Sequence, residues 1–152
     1  MKDEHYAAFA FNREQLEGGI RTAVATWLVD RAAAKLQYGP IASWDTSEVT
    51  SMNSLFRPLV AGEVTAGYNA AIARFNGDLS RWDVGQVTNM GDMFYGATSF
   101  NGDLSSWDVG QVTDMDWMFM GATSFNRQLG GSWSASTASQ VQMFNRSGGS
   151  IA

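Results

Sequence analysis

The sequence predicts an α/β repeat solenoid, a stack of about four short coils behind an N-terminal helix. Three observations carry this. Residues 75–99 read FNGDLSRWDVGQVTNMGDMFYGATS and residues 100–124 read FNGDLSSWDVGQVTDMDWMFMGATS, identical at twenty of twenty-five positions. Within a copy, the apolar residues Phe75, Leu79, Trp82, Val84, Val87, Met90, Met93, Phe94 and Ala97 fit neither strict alternation nor a sustained helical period. Their spacing of mostly three, broken by Gly, Asn and Asp, is that of a chain turning back on itself once per copy. Such a coil buries its apolar side only by stacking on its neighbours. Upstream, Leu16, Ile20, Val24, Trp27 and Leu28 do keep helical spacing.

The chain has 152 residues, 45% hydrophobic and 16% charged, enough for one domain with a sizeable core. No apolar run approaches the roughly 20 residues that a membrane span needs. The absence of cysteine excludes a disulfide scaffold and a thiolate metal site, and a single histidine, His5, excludes a multi-histidine zinc centre. Fifteen acidic residues against ten basic ones give a net charge of -5. With no basic run, that balance argues against a nucleic-acid partner. The start Met1-Lys2-Asp3-Glu4-His5 lacks the charged and apolar pattern of a secretion signal. Either that route is unused or a leader lies outside this sequence.

Taken in order, residues 1–40 form the expected helical cap. The helix is predicted over residues 13–36, with Asn12 as N-cap, Gln15 completing a capping box, and Gly39-Pro40 as the stop. Gly18-Gly19 weakens its first turns by about 1 kcal/mol each relative to Ala, so tertiary contacts must hold it. Residues 41–145 form the coils. The first begins at Trp44-Asp45 and runs through Val49-Thr50 and Met52 to Leu55-Phe56. From Trp44 to Trp82 is 38 residues, one period plus thirteen, so an insertion falls at about 57–74. A decayed last copy runs from Phe125-Asn126 through Trp133 to Met143-Phe144, with Phe94, Phe119 and Phe144 keeping the 25-residue spacing. The polar run Arg146-Ser147-Gly148-Gly149-Ser150 makes residues 146–152 an expected flexible tail. A WD-repeat propeller fails on length, because a blade needs about 40 residues.

The run Trp-Asp-x-x-x-Val-Thr-x-Met-x-x-Met-Phe-x-x-Ala-x-x-Phe-Asn, with the lead-in from Tyr38 to Ser47, resembles the BspA-like 25–26-residue surface-protein repeat family. That family is a divergent relative of leucine-rich repeats, and the resemblance covers roughly residues 13–145. It implies a short right-handed, leucine-rich-repeat-like coil stack, with a strand near Asp78-Leu79-Ser80 and a helical turn near Met90–Tyr95 in each coil. It also implies a surface or secreted protein that adheres or binds proteins, and it carries no catalytic residue onto this chain.

Stacking like on like turns each position into a row. Asp78 and Asp103 form one row of carboxylates, and Asp45, Asp83 and Asp108 another. Residues 75–124 hold seven acidic side chains against Arg81 alone, so the acidity lies on the repeats. One reading of these rows is Ca²⁺ bridging; the other is that each Asp accepts hydrogen bonds from its own turn. The Thr50, Thr88 and Thr113 row invites an ice-binding reading, or an ordinary strand edge. The Trp44, Trp82, Trp107 and Trp133 row would stack carbohydrate if exposed, and fill the core if not. Asn76, Asn101 and Asn126 read as structural, hydrogen-bonding along the stack. Trp117 and Met120 stand where the previous copy has Asp92 and Tyr95, and so mark a contact patch.

Catalysis needs a tuned acid–base pair or an activated nucleophile. There is no cysteine, no usable histidine and no Gly-x-Ser-x-Gly elbow, so the expectation is no enzyme and no cofactor. The expected function is protein binding or adhesion through Asp78, Ser80, Asp83, Asp103, Ser105, Asp108, Trp117 and Met120. An acidic face of this kind suits a basic partner, and the insertion is a second candidate surface. A structural subunit of a larger assembly, and a calcium- or carbohydrate-binding surface, are the alternatives.

Overall fold

The computed structural model describes residues 19–59 and 67–152. Asn12, Gln15, Leu16 and His5 lie outside the described residues, as does the centre of the insertion. The single helix expected over residues 13–36 is two helices, α1 (Gly19–Val29) and α2 (Arg31–Tyr38). The break is at Asp30. Its backbone leaves the helical region (φ -146°, ψ 80°), and its carboxylate accepts from the Ala33 N–H at 3.0 Å to cap α2. A short polar side chain competing for backbone donors ends one helix and starts the next. Gly39, at φ 77°, stops α2 as expected. Ile20, Ala23, Val24 and Trp27 make the buried face of α1. A 3₁₀ turn (Ile41–Ser43) leads into the first copy, and α3 (Tyr68–Arg74) lies inside the insertion.

Over the segment Met90–Gly96 and its counterparts the copies are joined by a backbone ladder that runs one way, while the adjoining rungs, Thr88 N–H to Thr50 O, Thr113 N–H to Thr88 O and Ser139 N–H to Thr113 O, run back. The N–H groups of Met90, Asp92, Phe94 and Gly96 donate to the carbonyls of Asp114, Asp116, Met118 and Met120. Met115, Trp117, Phe119 and Gly121 donate in turn to Ser139, Val141, Met143 and Asn145. Met52, Ser54 and Phe56 do the same toward Asn89, Gly91 and Met93. Between rungs the chain folds on itself through three-residue turns such as Met93 N–H to Met90 O and Tyr95 N–H to Asp92 O. Parallel bridges link Ser51, Asn89, Asp114 and Ser139 across the copies. The strand expected at Asp78-Leu79-Ser80 is absent, since Ser80 and Arg81 form a turn and the pairing falls at Asn89 and Asp114 instead. The helical turn expected at Met90–Tyr95 is interrupted, because Asp92 sits at φ 57°.

Identical side chains then stack on themselves. Phe56, Phe94, Phe119 and Phe144 lie 5.4, 5.5 and 5.5 Å apart between successive ring centres, within 6° of parallel. Phe75, Phe100 and Phe125 form a second column at 6.0 and 6.1 Å. The Phe75 and Phe100 rings fold back so closely that a Cβ on Gly77 or Gly102 would come within 2.8 Å of them. Trp44, Trp82, Trp107 and Trp133 are buried, and the last three each donate an indole N–H to the copy before, at Ile41, Leu79 and Leu104. Their faces are therefore interior and closed to a sugar. The asparagine row is structural, with Asn76 Oδ1 accepting from the Asn101 N–H at 2.8 Å and Asn101 Oδ1 from the Asn126 N–H at 3.0 Å. Thr88 and Thr113 hydroxyls donate back to Thr50 O and Thr88 O, spending their protons inside the stack.

The expected flexible tail is paired instead. Strand β1 (Gln128–Leu129) lies parallel to β2 (Ser150–Ile151), and Gly148, Ser150 and Ala152 donate to Phe125, Arg127 and Leu129. These bonds are backbone to backbone, so the polar composition of the segment does not prevent them.

Phe119 is enclosed by Phe94, Phe125 and Phe144 at 4.1–5.5 Å, and is fully buried. Phe119→Ala is expected to cost about 3–5 kcal/mol in urea denaturation. Phe144→Ala is expected to cost less, because Phe144 is only half-buried.

Candidate functional site

In the ladder segment most columns repeat in type. Phe56, Phe94, Phe119 and Phe144 are identical, and Leu55, Met93, Met118 and Met143 are all apolar. Three columns differ in every copy: Asn53/Gly91/Asp116/Val141, Ser54/Asp92/Trp117/Gln142 and Arg57/Tyr95/Met120/Asn145. The last two meet in space. Arg57, Asp92, Tyr95, Trp117, Met120, Gln142 and Asn145 line one open groove of about 430 Å³. Seven residues of two variable columns thus share one surface, while Ser54 and the column of Asn53 lie outside it.

Backbone geometry puts them there. Ser54, Asp92, Trp117 and Gln142 have φ of 58°, 57°, 56° and 55°, all left-handed. That kink holds the neighbouring Met90, Met93, Met115 and Met118 in the core while the kinked residue itself faces outward. Asp tolerates this conformation, but for Trp it is a strained one, costing on the order of 1 kcal/mol or more. Trp117 is nonetheless 44% exposed, a large aromatic surface held open to solvent.

Asp92 is the charged floor of the groove. Its side chain is 15% exposed, with Arg57 Nη1 3.4 Å from Oδ1. Oδ1 is itself buried and receives no hydrogen bond, so this is a charge contact without donor alignment. Arg57 also stacks on Tyr95, its Cζ 4.7 Å from the ring centre. Burial pushes the Asp92 carboxyl above the usual carboxylate range; Arg57 pulls it back, and Asp114 and Asp116 push it further up.

The other sequence candidates lie elsewhere. Asp78, Asp83, Asp103 and Asp108 are exposed, and each accepts from a backbone N–H two residues on: Ser80, Gly85, Ser105 and Gly110, at 2.9–3.0 Å. Ser80 and Ser105 complete these turns. Their hydroxyls, then their N–H groups, hold the Asp78 and Asp103 carboxyls below the usual range. All four carboxylates are thus turn residues, and none of the six lines the groove. Among the described residues no cluster of three or more metal-ligating side chains occurs. Of the sequence candidates, the structure brings together Trp117 and Met120. Their counterparts Asp92 and Tyr95 join them, and so do Arg57, Gln142 and Asn145, which comparing the two central copies alone does not single out. The signal for these three is the lack of agreement down a column when all four copies are aligned.

A family model described as "Mycoplasma protein of unknown function, DUF285" matches residues 28–149. No curated protein and no solved structure matches the chain.

Asp92 titrates higher in the folded chain than in the unfolded one, so the unfolded state loses its proton first as pH rises. The stability that Asp92 contributes is therefore present below the ordinary Asp value, near 3.8, and is lost as pH rises through the raised folded value. Asp92→Asn keeps a residue that accepts the left-handed backbone. Its melting temperature is expected to exceed that of the parent at pH 7, with the gap closing as pH falls below about 4. Thermal melts of both chains across that range check this.

Proposed function

The chain belongs to the family of Mycoplasma proteins of unknown function, DUF285, and on that footing we propose that it is a non-catalytic protein-binding or adhesion module. In this reading the copies form a short right-handed, leucine-rich-repeat-like coil stack of the BspA-like kind, working at a cell surface or after secretion. The partner is another protein with a basic patch. It seats a side chain in the groove against Trp117 and Met120, and its basic residues face the carboxylate rows.

One observation carries the reading: two of the three columns that differ in every copy, Ser54 apart, line a single groove around a half-exposed tryptophan. Core positions are held constant because each must stack on its own kind. Groove positions are free of that constraint and differ in charge, size and polarity, as a recognition surface requires. An exposed Trp kept at a strained backbone angle is costly for folding and valuable for binding, since tryptophan is enriched among residues that dominate interfaces. The rows add charge. Asp78 and Asp103 hold their protons weakly, so their negative charge persists well below neutral pH.

The test is affinity capture from an extract of the cells that make the protein, run with three chains. Trp117→Asn suits the left-handed position and is expected to raise stability by about 1 kcal/mol, or about 2–4 °C in melting temperature. The same change is expected to weaken partner binding by about 30-fold, the loss of a central aromatic anchor. A chain with Asp78, Asp83, Asp103 and Asp108 all changed to Asn should bind more weakly and lose its salt dependence. A partner captured equally by all three chains overturns the reading.

A further inference from the structure

A second cleft, of about 440 Å³, opens where the helical cap meets the repeats, far along the sequence from the groove columns; Trp27, Arg31, Arg74, Asn76 and Asp78 are among its walls. Its chemistry is the reverse of the acidic repeats. Arg31 opens α2 and lies over the Trp27 indole, its Cζ 5.4 Å from the ring centre. Arg74 is the last residue of α3. Among the described residues the one ion pair is Arg57 with Asp92, so neither guanidinium in this cleft has a carboxylate partner. Asp78 is the one acid present, and its Oδ1 already accepts from the Ser80 N–H at 2.9 Å and from the Ser80 hydroxyl at 2.6 Å. Two cations against one such acid leave a positive cleft on a chain of net charge -5.

The asparagine row supplies the second half. Asn101 and Asn126 each have their N–H satisfied by the side-chain carbonyl of the asparagine one copy earlier. Asn76 begins the row. In the register that pairs Trp44 with Trp82, the preceding position is Tyr38, whose side chain carries no carbonyl. The Asn76 Oδ1 is used by Asn101, but among the described residues no acceptor meets the Asn76 N–H. The cleft therefore holds a repeat-specified donor whose acceptor is missing, together with two unpaired guanidiniums. We propose that a carboxylate fills this first rung, one oxygen accepting from the Asn76 N–H while Arg31 and Arg74 neutralise the charge. The carboxylate comes either from an Asp or Glu side chain of a bound protein or from a free small acid. Guanidinium groups match either, because they offer paired planar donors.

The site is independent of the groove, and its test reads the donor directly. The ¹⁵N-labelled chain is titrated with Ac-Gly-Glu-Gly-NH₂, with its Gln counterpart, and with succinate, following amide proton shifts. A saturable downfield shift of the Asn76 N–H is expected with the Glu peptide and not with the Gln peptide, while the Asn101 N–H, already bonded, stays in place. Succinate binding at least as tightly as the peptide assigns the site to small acids; binding of the peptide alone assigns it to a protein side chain. Arg74→Gln and Arg31→Gln, with the remaining spectrum unchanged, are each expected to weaken binding by about tenfold. An unmoved Asn76 amide, an equal shift with the Gln peptide, or unaltered affinity in both arginine variants overturns the proposal.

Discussion

The backbone ladder between copies is the constraint on which the rest of this molecule depends. Because each copy donates to the next from alternate residues and receives from it at the adjoining Thr50, Thr88 and Thr113 carbonyls, the copies are locked in one register, and every side chain lies over its counterpart. A phenylalanine then meets a phenylalanine at about 5.5 Å, and an asparagine meets an asparagine within hydrogen-bond reach. A change in one copy spoils the fit to two neighbours. This is a physical reason for twenty identities in twenty-five positions, with no appeal to function.

Where the ladder's geometry lets a side chain out, the rule lapses. The left-handed residue of each copy is such an exit, and the four copies use it for Ser, Asp, Trp and Gln. The same residue type behaves in opposite ways on either side of this divide. Asp78 and Asp103 sit in turns that hand them two donors each, which favours the charged form. Asp92 is packed against the stack with a buried oxygen that nothing donates to, and burial there favours the neutral form. Protonation behaviour here is a property of the position in the copy, not of the residue.

Features that recur down a row are legible in the sequence. The 25-residue period, the buried Trp, Phe and Met columns and the asparagine row are all of this kind. Features set by local competition are not. Asp30 lies within an amphipathic run, and nothing in the apolar spacing reveals that its carboxylate prefers to cap a new helix. The resemblance places a strand at Asp78-Leu79-Ser80, whereas the bridging falls at Asn89 and Asp114. The Ser-Gly composition of residues 146–152 predicts a loose tail, because composition carries no trace of pairing that uses only main-chain atoms. The groove is half legible. Trp117 and Met120 stand out against their nearest copy, while Arg57 and Asn145 belong to decayed copies, where departures from the pattern are too many to single out two.

The direction of the ladder also makes the two ends of the stack unlike. In an ordinary sheet neighbouring strand dipoles largely cancel, whereas along Met90–Gly96 and its counterparts the peptide units between copies point the same way and their dipoles add, offset by the rungs at Thr88, Thr113 and Ser139 that point back. One face of the stack, along Gln140, Gln142 and Phe144, presents amide hydrogens; the opposite face, in register with Ser51, Asn53 and Leu55, presents carbonyl oxygens. Along that stretch two amide faces have no acceptors to offer one another, so head-to-tail contact is what would extend this part of the ladder. Against that route, Arg21 and Ala25 of α1 share a cavity with Ser54 and Leu55 on the carbonyl side. A polar ladder with a helix at its acceptor end is a fold whose own edges are poor templates for aggregation.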